Sequence, residues 1–217
     1  MDQQLIESIV KEVVTRLHWE THNPYNIPIA VSARHCHLSK SDLETLFGEG
    51  YELTKKADLS QPGQFASNET VTIVGPKGSI EKVRILGPAR NMTQVEISKT
   101  DSIKLGFIPP LRESGDIEGS SPITIEGPKG SLSINKGLII AQAHIHMEPK
   151  DAKRHGVENG EYVKVEIQGE RPLSLGKVLI RVSPRYKLEM HVDTDEANAG
   201  FITGKTMGKI VKDGIGR

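Results

Sequence analysis

One cysteine in 217 residues, Cys36, excludes an internal disulfide and the stapled secreted scaffolds that depend on one. Aromatic residues are scarce too, at 4%, so a core must be built from Ile, Val, Leu and Ala. Net charge is absent: 28 Lys and Arg balance 28 Asp and Glu. That balance removes the one-signed field expected of a nucleic-acid or membrane-surface binder, while leaving room for a local basic pocket. No apolar run approaches a membrane span, and the start lacks the apolar stretch of a secretory signal. These absences predict a soluble cytoplasmic protein, with neither nucleic acid nor membrane as partner. Its length suffices for one sizeable core or two small ones.

Histidine is where the sequence concentrates. Four of eight fall in two tripeptides, His35-Cys36-His37 and His144-Ile145-His146, each followed five residues later by an Asp, Asp42 and Asp151. On a β-strand side chains alternate, so each pair presents both imidazoles on one face and its middle residue on the other. Two neutral nitrogen donors side by side are a good start on a Zn²⁺ site. Cys36, pointing away, reads as a small buried hydrophobe. Twice over, the pattern suggests two related metal sites.

The chain around these pairs reads mainly as β. Residues 1–19 carry Leu5, Ile6, Ile9, Val10, Val13, Val14 and Leu17 on one stripe, the spacing of an amphipathic helix. Such a helix packs on its own domain or a second subunit, or detaches to bind a partner. Residues 20–26 read as a linker. Short β-runs broken by 21 Gly and 12 Pro then fill the rest, with short helices at 39–47 and 149–155. The expected architecture is mainly β: two pseudo-symmetric small barrels with short capping helices, over 27–136 and 137–217. The first strand, 27–33, is free to pair with the second barrel.

A later match supplies a third donor to each pair. Gln94-Val95-Glu96-Ile97-Ser98-Lys99-Thr100-Asp101 lines up with Glu189-Met190-His191-Val192-Asp193-Thr194-Asp195 when one residue is skipped. Glu96 and His191 then share a structural position. The ligand sets become His35, His37 and Glu96, and His144, His146 and His191, both known among open zinc sites that leave one position free. Arg90, after the Gly87-Pro88-Ala89 turn, has a guanidinium suited to phosphate, although an ordinary ion pair fits its spacing as well. The segment through Asn198, Ala199 and Gly200 offers an amide and accessible backbone for oxyanions. Two Gly-Pro-Lys-Gly-Ser runs, at 75–79 and 127–131, are out of phase with the histidine repeat and read as hairpin turns, not phosphate loops.

Ala33-Arg34-His35-Cys36-His37-Leu38-Ser39, Gln61-Pro62-Gly63-Gln64, Gly87-Pro88-Ala89-Arg90 with Gln94 to Ser98, His144-Ile145-His146 and Glu189 to Asn198 together carry a family resemblance. From about Ile27 to the last strand the chain resembles the phosphate propanoyltransferases of the propanediol-utilisation type, the phosphotransacylases of bacterial microcompartments. The resemblance implies two β-barrels with a di-zinc site between them. It implies conversion of acyl-CoA, propanoyl-CoA or acetyl-CoA, plus phosphate to acyl phosphate plus coenzyme A. Two Zn²⁺, or another divalent metal, would sit on the two donor sets. Arg90 would act on phosphate, assisted by Asn198, Gly200 and Ser32. The N-terminal helix resembles an extension read in some members as an address for the microcompartment shell, and a homodimer stays open. A zinc-dependent hydrolase and a non-catalytic cupin-like metal-binding barrel are the competing readings of the same ligands.

Overall fold

The computed structural model describes residues 6, 7, 9, 10, 23 and 25–211. The helix expected over 1–19 and the linker over 20–26 lie largely outside them. In chain order the first elements are β1 (Ile27–Val31), β2 (His35–His37), α1 (Lys40–Phe47), β3 (Lys55–Asp58), β4 (Phe65–Gly75) and β5 (Gly78–Gly87). Then come β6 (Gln94–Glu96), α2 (Lys99–Leu105), β7 (Leu111–Arg112), β8 (Ser121–Glu126) and β9 (Ser131–Ala141). The chain continues through β10 (His144–Met147), α3 (Pro149–His155), β11 (Tyr162–Ile167) and β12 (Leu173–Val182). It closes with β13 (Glu189–Val192), α4 (Thr194–Ala199) and β14 (Met207–Val211). Among the described residues no helix is long and apolar enough to cross a membrane.

The strands close into two six-stranded barrels, as the alternating short runs predicted. One ring runs β4-β5-β2-β6-β9-β8 and back to β4, with β3 and β7 attached beside β4 and β9. The other runs β1-β13-β10-β12-β11-β14 and back to β1. Closure leaves no open edge within either ring. Inward positions alternate as a half-buried strand requires: Val163, Val165 and Ile167 on β11 face the second core. Cys36, Ile85, Val95 and Leu138 meet in the first core, and Ile145, Ile180 and Met190 in the second. Each such aliphatic side chain contributes about 1.5–3 kcal/mol by leaving water.

The barrels exchange their leading strands. β1, just before the first histidine pair, runs parallel to β13 in the second barrel, with Ala30 opposite His191. The end of β9, just before the second pair, runs parallel to β6 in the first barrel, with Glu96 opposite Ile139. β9 passes unbroken through residues 136 and 137. Each histidine tripeptide therefore lies where the chain crosses from one barrel to the other. That crossing is what puts both at the junction.

The helices have clear local causes. Ser39 accepts a hydrogen bond from the Asp42 N–H to start α1, and Ser98 does the same for Asp101 at α2. Asp193 caps α4 through the Glu196 N–H, and Glu196 reaches back to the Asp193 N–H. Asp101 and Glu196 thus match without the skipped residue that sequence comparison introduced, and Gln94 to Asp101 maps directly onto Glu189 to Glu196. Helices α2 and α4 are too short to show apolar periodicity, and only their caps betray them. The two Gly-Pro-Lys-Gly turns do form hairpins, β4–β5 and β8–β9, both in the first barrel. Each receives a helix C-terminus: Lys77 N–H donates to the Leu105 carbonyl and Lys129 N–H to that of Leu46. A Cβ at Gly75 or Gly127 would lie 2.3 Å or 2.6 Å from those oxygens, so the approach requires glycine.

Candidate metal and active site

Strand register builds the first donor set. On β2 and β6, His35 faces Glu96 directly, and His37 sits opposite Gln94. The donor atoms of His35, His37 and Glu96 all lie within 4.8 Å of one another, and all three residues are buried. His35 Nδ1 lies 2.8 Å from the Ala33 carbonyl, a contact that would fix the Nδ1 proton and leave Nε2 to coordinate a cation. That Nε2 is 3.5 Å from Glu96 Oε2. The other carboxylate oxygen accepts from Gln94 Nε2 and from Ser114 Oγ, both at 2.6 Å. Burial alone would raise Glu96, but His35, His37 and Ser114 together hold it well below the usual carboxylate range. Burial likewise opposes charge on His35, and Glu96 outweighs it.

Repeat symmetry places the second set in the same way. His144 faces His191 across β10 and β13, just as His35 faces Glu96. The rings of His144, His146 and His191 lie 4.7–5.2 Å apart, centroid to centroid. His144 Nδ1 approaches the Gln142 carbonyl at 2.8 Å, repeating the His35 arrangement. Among the described residues, the first set is the more tightly gathered.

Three of the imidazoles are held in the state a cation needs. Burial, helped by neighbouring imidazoles, pushes His37 down to about 3, His144 to about 4 and His146 to about 2. These rings are neutral at pH 7, so a metal meets no competing proton on them. His37 Nδ1 and His146 Nδ1 are buried with no hydrogen-bond partner, each a group that costs about 1–3 kcal/mol when left unpaired. His191 Nε2 lies 3.1 Å from Glu189 Oε2 but out of line for a hydrogen bond. Orphaned nitrogens within two His-rich clusters fit a pair of divalent cations. Cys36 does not join them; burial pushes its thiol up to about 12, and it packs in the first core.

A single cavity of about 680 Å³ is lined by all six donors, together with Arg90 and Ser32. Arg90 arrives on the turn after β5, its N–H donating to the Leu38 carbonyl at 2.8 Å. Ser32 follows β1, its N–H bound to the Val192 carbonyl at 2.7 Å. Asn198 and Gly200 are elsewhere. Asn198 is exposed on α4, Gly200 packs against Leu173, and neither lines this cavity. Their expected part in phosphate binding gains no support from this placement.

Sequence reading missed several residues that complete the wall. Ser60 donates to Glu189, and the Gln61 side chain exchanges two hydrogen bonds with the Lys187 backbone, 3.0 Å and 3.2 Å, tying the barrels together. Arg181 and Tyr186 also line the cavity, with the Tyr186 ring 4.2 Å from that of His146. Glu189 was legible as the repeat mate of Gln94. Ser114 carried no signal.

The family model described as phosphate propanoyltransferase matches residues 28–203, which include every donor named above. The chain belongs to the phosphate propanoyltransferase family. A phosphate propanoyltransferase of Priestia megaterium is 69% identical over 207 residues, 95% of each chain. One of Thermotoga maritima is 57% identical over 194 residues, 89% of this chain and 90% of the relative. One of Clostridioides difficile is 50% identical over 210 residues, 97% of this chain and 99% of the relative. As a phosphate propanoyltransferase family member, the chain is an acyltransferase, which sets aside the non-catalytic cupin-like reading.

Proposed function

We propose that this protein transfers a short acyl group, propanoyl by the name of its relatives and acetyl as the nearest smaller chain, between coenzyme A and phosphate at a two-metal centre. The observation that carries this reading is the single cavity lined by five imidazoles, the Glu96 carboxylate and the Arg90 guanidinium. His35, His37 and Glu96 would hold one divalent cation and His144, His146 and His191 the other, with zinc favoured by the imidazole-rich ligands. Such cations supply positive charge to phosphate oxygens and to a developing oxyanion.

The chain's own groups do the rest. Arg90 orients phosphate through its planar fork, and half-buried Ser32 offers a hydroxyl at the same wall. A phosphate oxygen attacks the thioester carbonyl carbon, forming the new C–O bond. The C–S bond then breaks with its electron pair going to sulfur, and the proton of hydrogen phosphate ends on the coenzyme A thiol. Phosphate is the nucleophile, and buried Cys36, held protonated, does not compete for that role.

The amphipathic spacing of residues 1–19 supports, as a separate reading, that this segment addresses the enzyme to a microcompartment shell. The central test is thiol release from propanoyl-CoA with and without phosphate. Strict phosphate dependence is expected. Thiol release at full rate without phosphate would make the protein a zinc-dependent hydrolase instead.

A further inference from the structure

Strand register puts an arginine beside the second donor set. On β12, Val178 and Ile180 point into the second core, so Leu179 and Arg181 stand on the opposite face. The parallel pairing of β10 with β12 sets Arg181 next to His146. Tyr186 lies against both, its ring 4.2 Å from His146 and 6.0 Å from the Arg181 guanidinium carbon. That stack aims the Arg181 fork into the cavity.

Arg181 has no carboxylate partner among the described residues. Of the other cavity arginines, Arg34 is paired with Asp101 at 2.8 Å, Arg84 donates to the Ser67 and Asn68 carbonyls, and Arg185 is exposed to solvent. Arg90, from the opposite barrel, resembles Arg181 in making no ion pair among the described residues. Burial lowers Arg90 from its ordinary value, the Glu96 carboxylate opposes that, and the Arg181 charge adds to the lowering. Two guanidiniums on one cavity, one from each barrel and neither in an ion pair among the described residues, suit an anion with more than one acceptor oxygen.

We propose that Arg181 is a second phosphate-gripping residue, taking one oxygen of the phosphate from the His146 side while Arg90 takes another. This rests on the phosphate-transfer reading above. It also gives the two barrels equal parts in holding the nucleophile, one arginine from each.

The test compares KM for phosphate and for propanoyl-CoA in the metal-loaded wild type, Arg181→Met and Arg181→Lys, with the melting-temperature shift produced by inorganic phosphate. Arg181→Met should raise the phosphate KM at least about tenfold, the worth of one charge-assisted hydrogen bond, with propanoyl-CoA KM nearly unchanged. It should also lose most of the phosphate-induced melting shift. Arg181→Lys should recover part of both, since a point charge replaces the fork. An unchanged phosphate KM in either variant overturns the proposal. So does a rise confined to propanoyl-CoA, which would assign Arg181 to coenzyme A. Should the Met variant fail to fold, the Lys variant decides, with an unchanged phosphate KM again contradicting. Phosphate-independent thiol release by the wild type would defeat the transfer reading. The melting shift would still report whether Arg181 binds phosphate.

Discussion

The two donor sets occupy the same place in two copies of one fold, yet they differ in charge. His35 faces a carboxylate, Glu96, while His144 faces another imidazole, His191. With its imidazoles neutral, the first set would leave a divalent cation one net positive charge; the second would leave it both. Support differs as well. Glu96 is fixed by Gln94 and Ser114, while His191 has Glu189 beside it, anchored by Ser60. On the two-metal reading, the first set would hold its ion the more firmly, and the second would remain the stronger attractor of anions. A single register position makes the two sets unequal.

Removing a donor should break this comparison most severely. Glu96→Ala is expected to cost one metal equivalent and at least about a hundredfold in activity, since even the outer partners of metal ligands cost 10–100-fold. Glu96→His, which copies the second set, should keep two metals per chain. Metal quantification beside the rate assay checks both, and two bound ions in Glu96→Ala would remove Glu96 from the ligand set. A smaller effect is expected from Ser114→Ala, which takes one hydrogen bond from Glu96. It should weaken metal binding by roughly tenfold at the first set and leave the second unchanged. Competition with a chelator would show two separated affinities, and equal weakening of both sites would contradict the asymmetry.

The smallest effect concerns the helices that follow each set. Asp101 and Glu196 are repeat mates, but burial raises Glu196 to about 7. A carboxyl raised in the folded state contributes stability that is present below its unfolded value, 4.5, and lost as pH rises through about 7. Glu196→Gln keeps a side-chain acceptor for the Asp193 N–H without the charge. It should therefore exceed the wild type in stability at pH 8 by about 1–3 kcal/mol and match it near pH 4. Denaturant melts at the two pH values check this, and an equal difference at both would place the effect outside ionisation.

Much of this centre was legible because its signals are periodic. A His-x-His needs only strand alternation to become a bidentate pair, and Glu96 and His191 emerge from aligning one repeat with the other. The strand exchange was harder to see, since β1 and the end of β9 look alike and nothing local says which barrel each joins. Arg181 and Tyr186 were hidden for another reason: their place depends on the parallel pairing of β10 with β12, far apart in sequence. Asn198 and Gly200 differ in the opposite sense, since neither lines the cavity. Closeness to His191 along the chain suggested closeness in space.

The most direct test is phosphate-dependent thiol release from propanoyl-CoA, recorded as zinc is titrated into metal-free protein. If the six donors form one two-metal centre, activity stays low through the first equivalent and rises as the second binds, and none appears without phosphate. Full activity at one equivalent, or thiol release that ignores phosphate, would contradict the account.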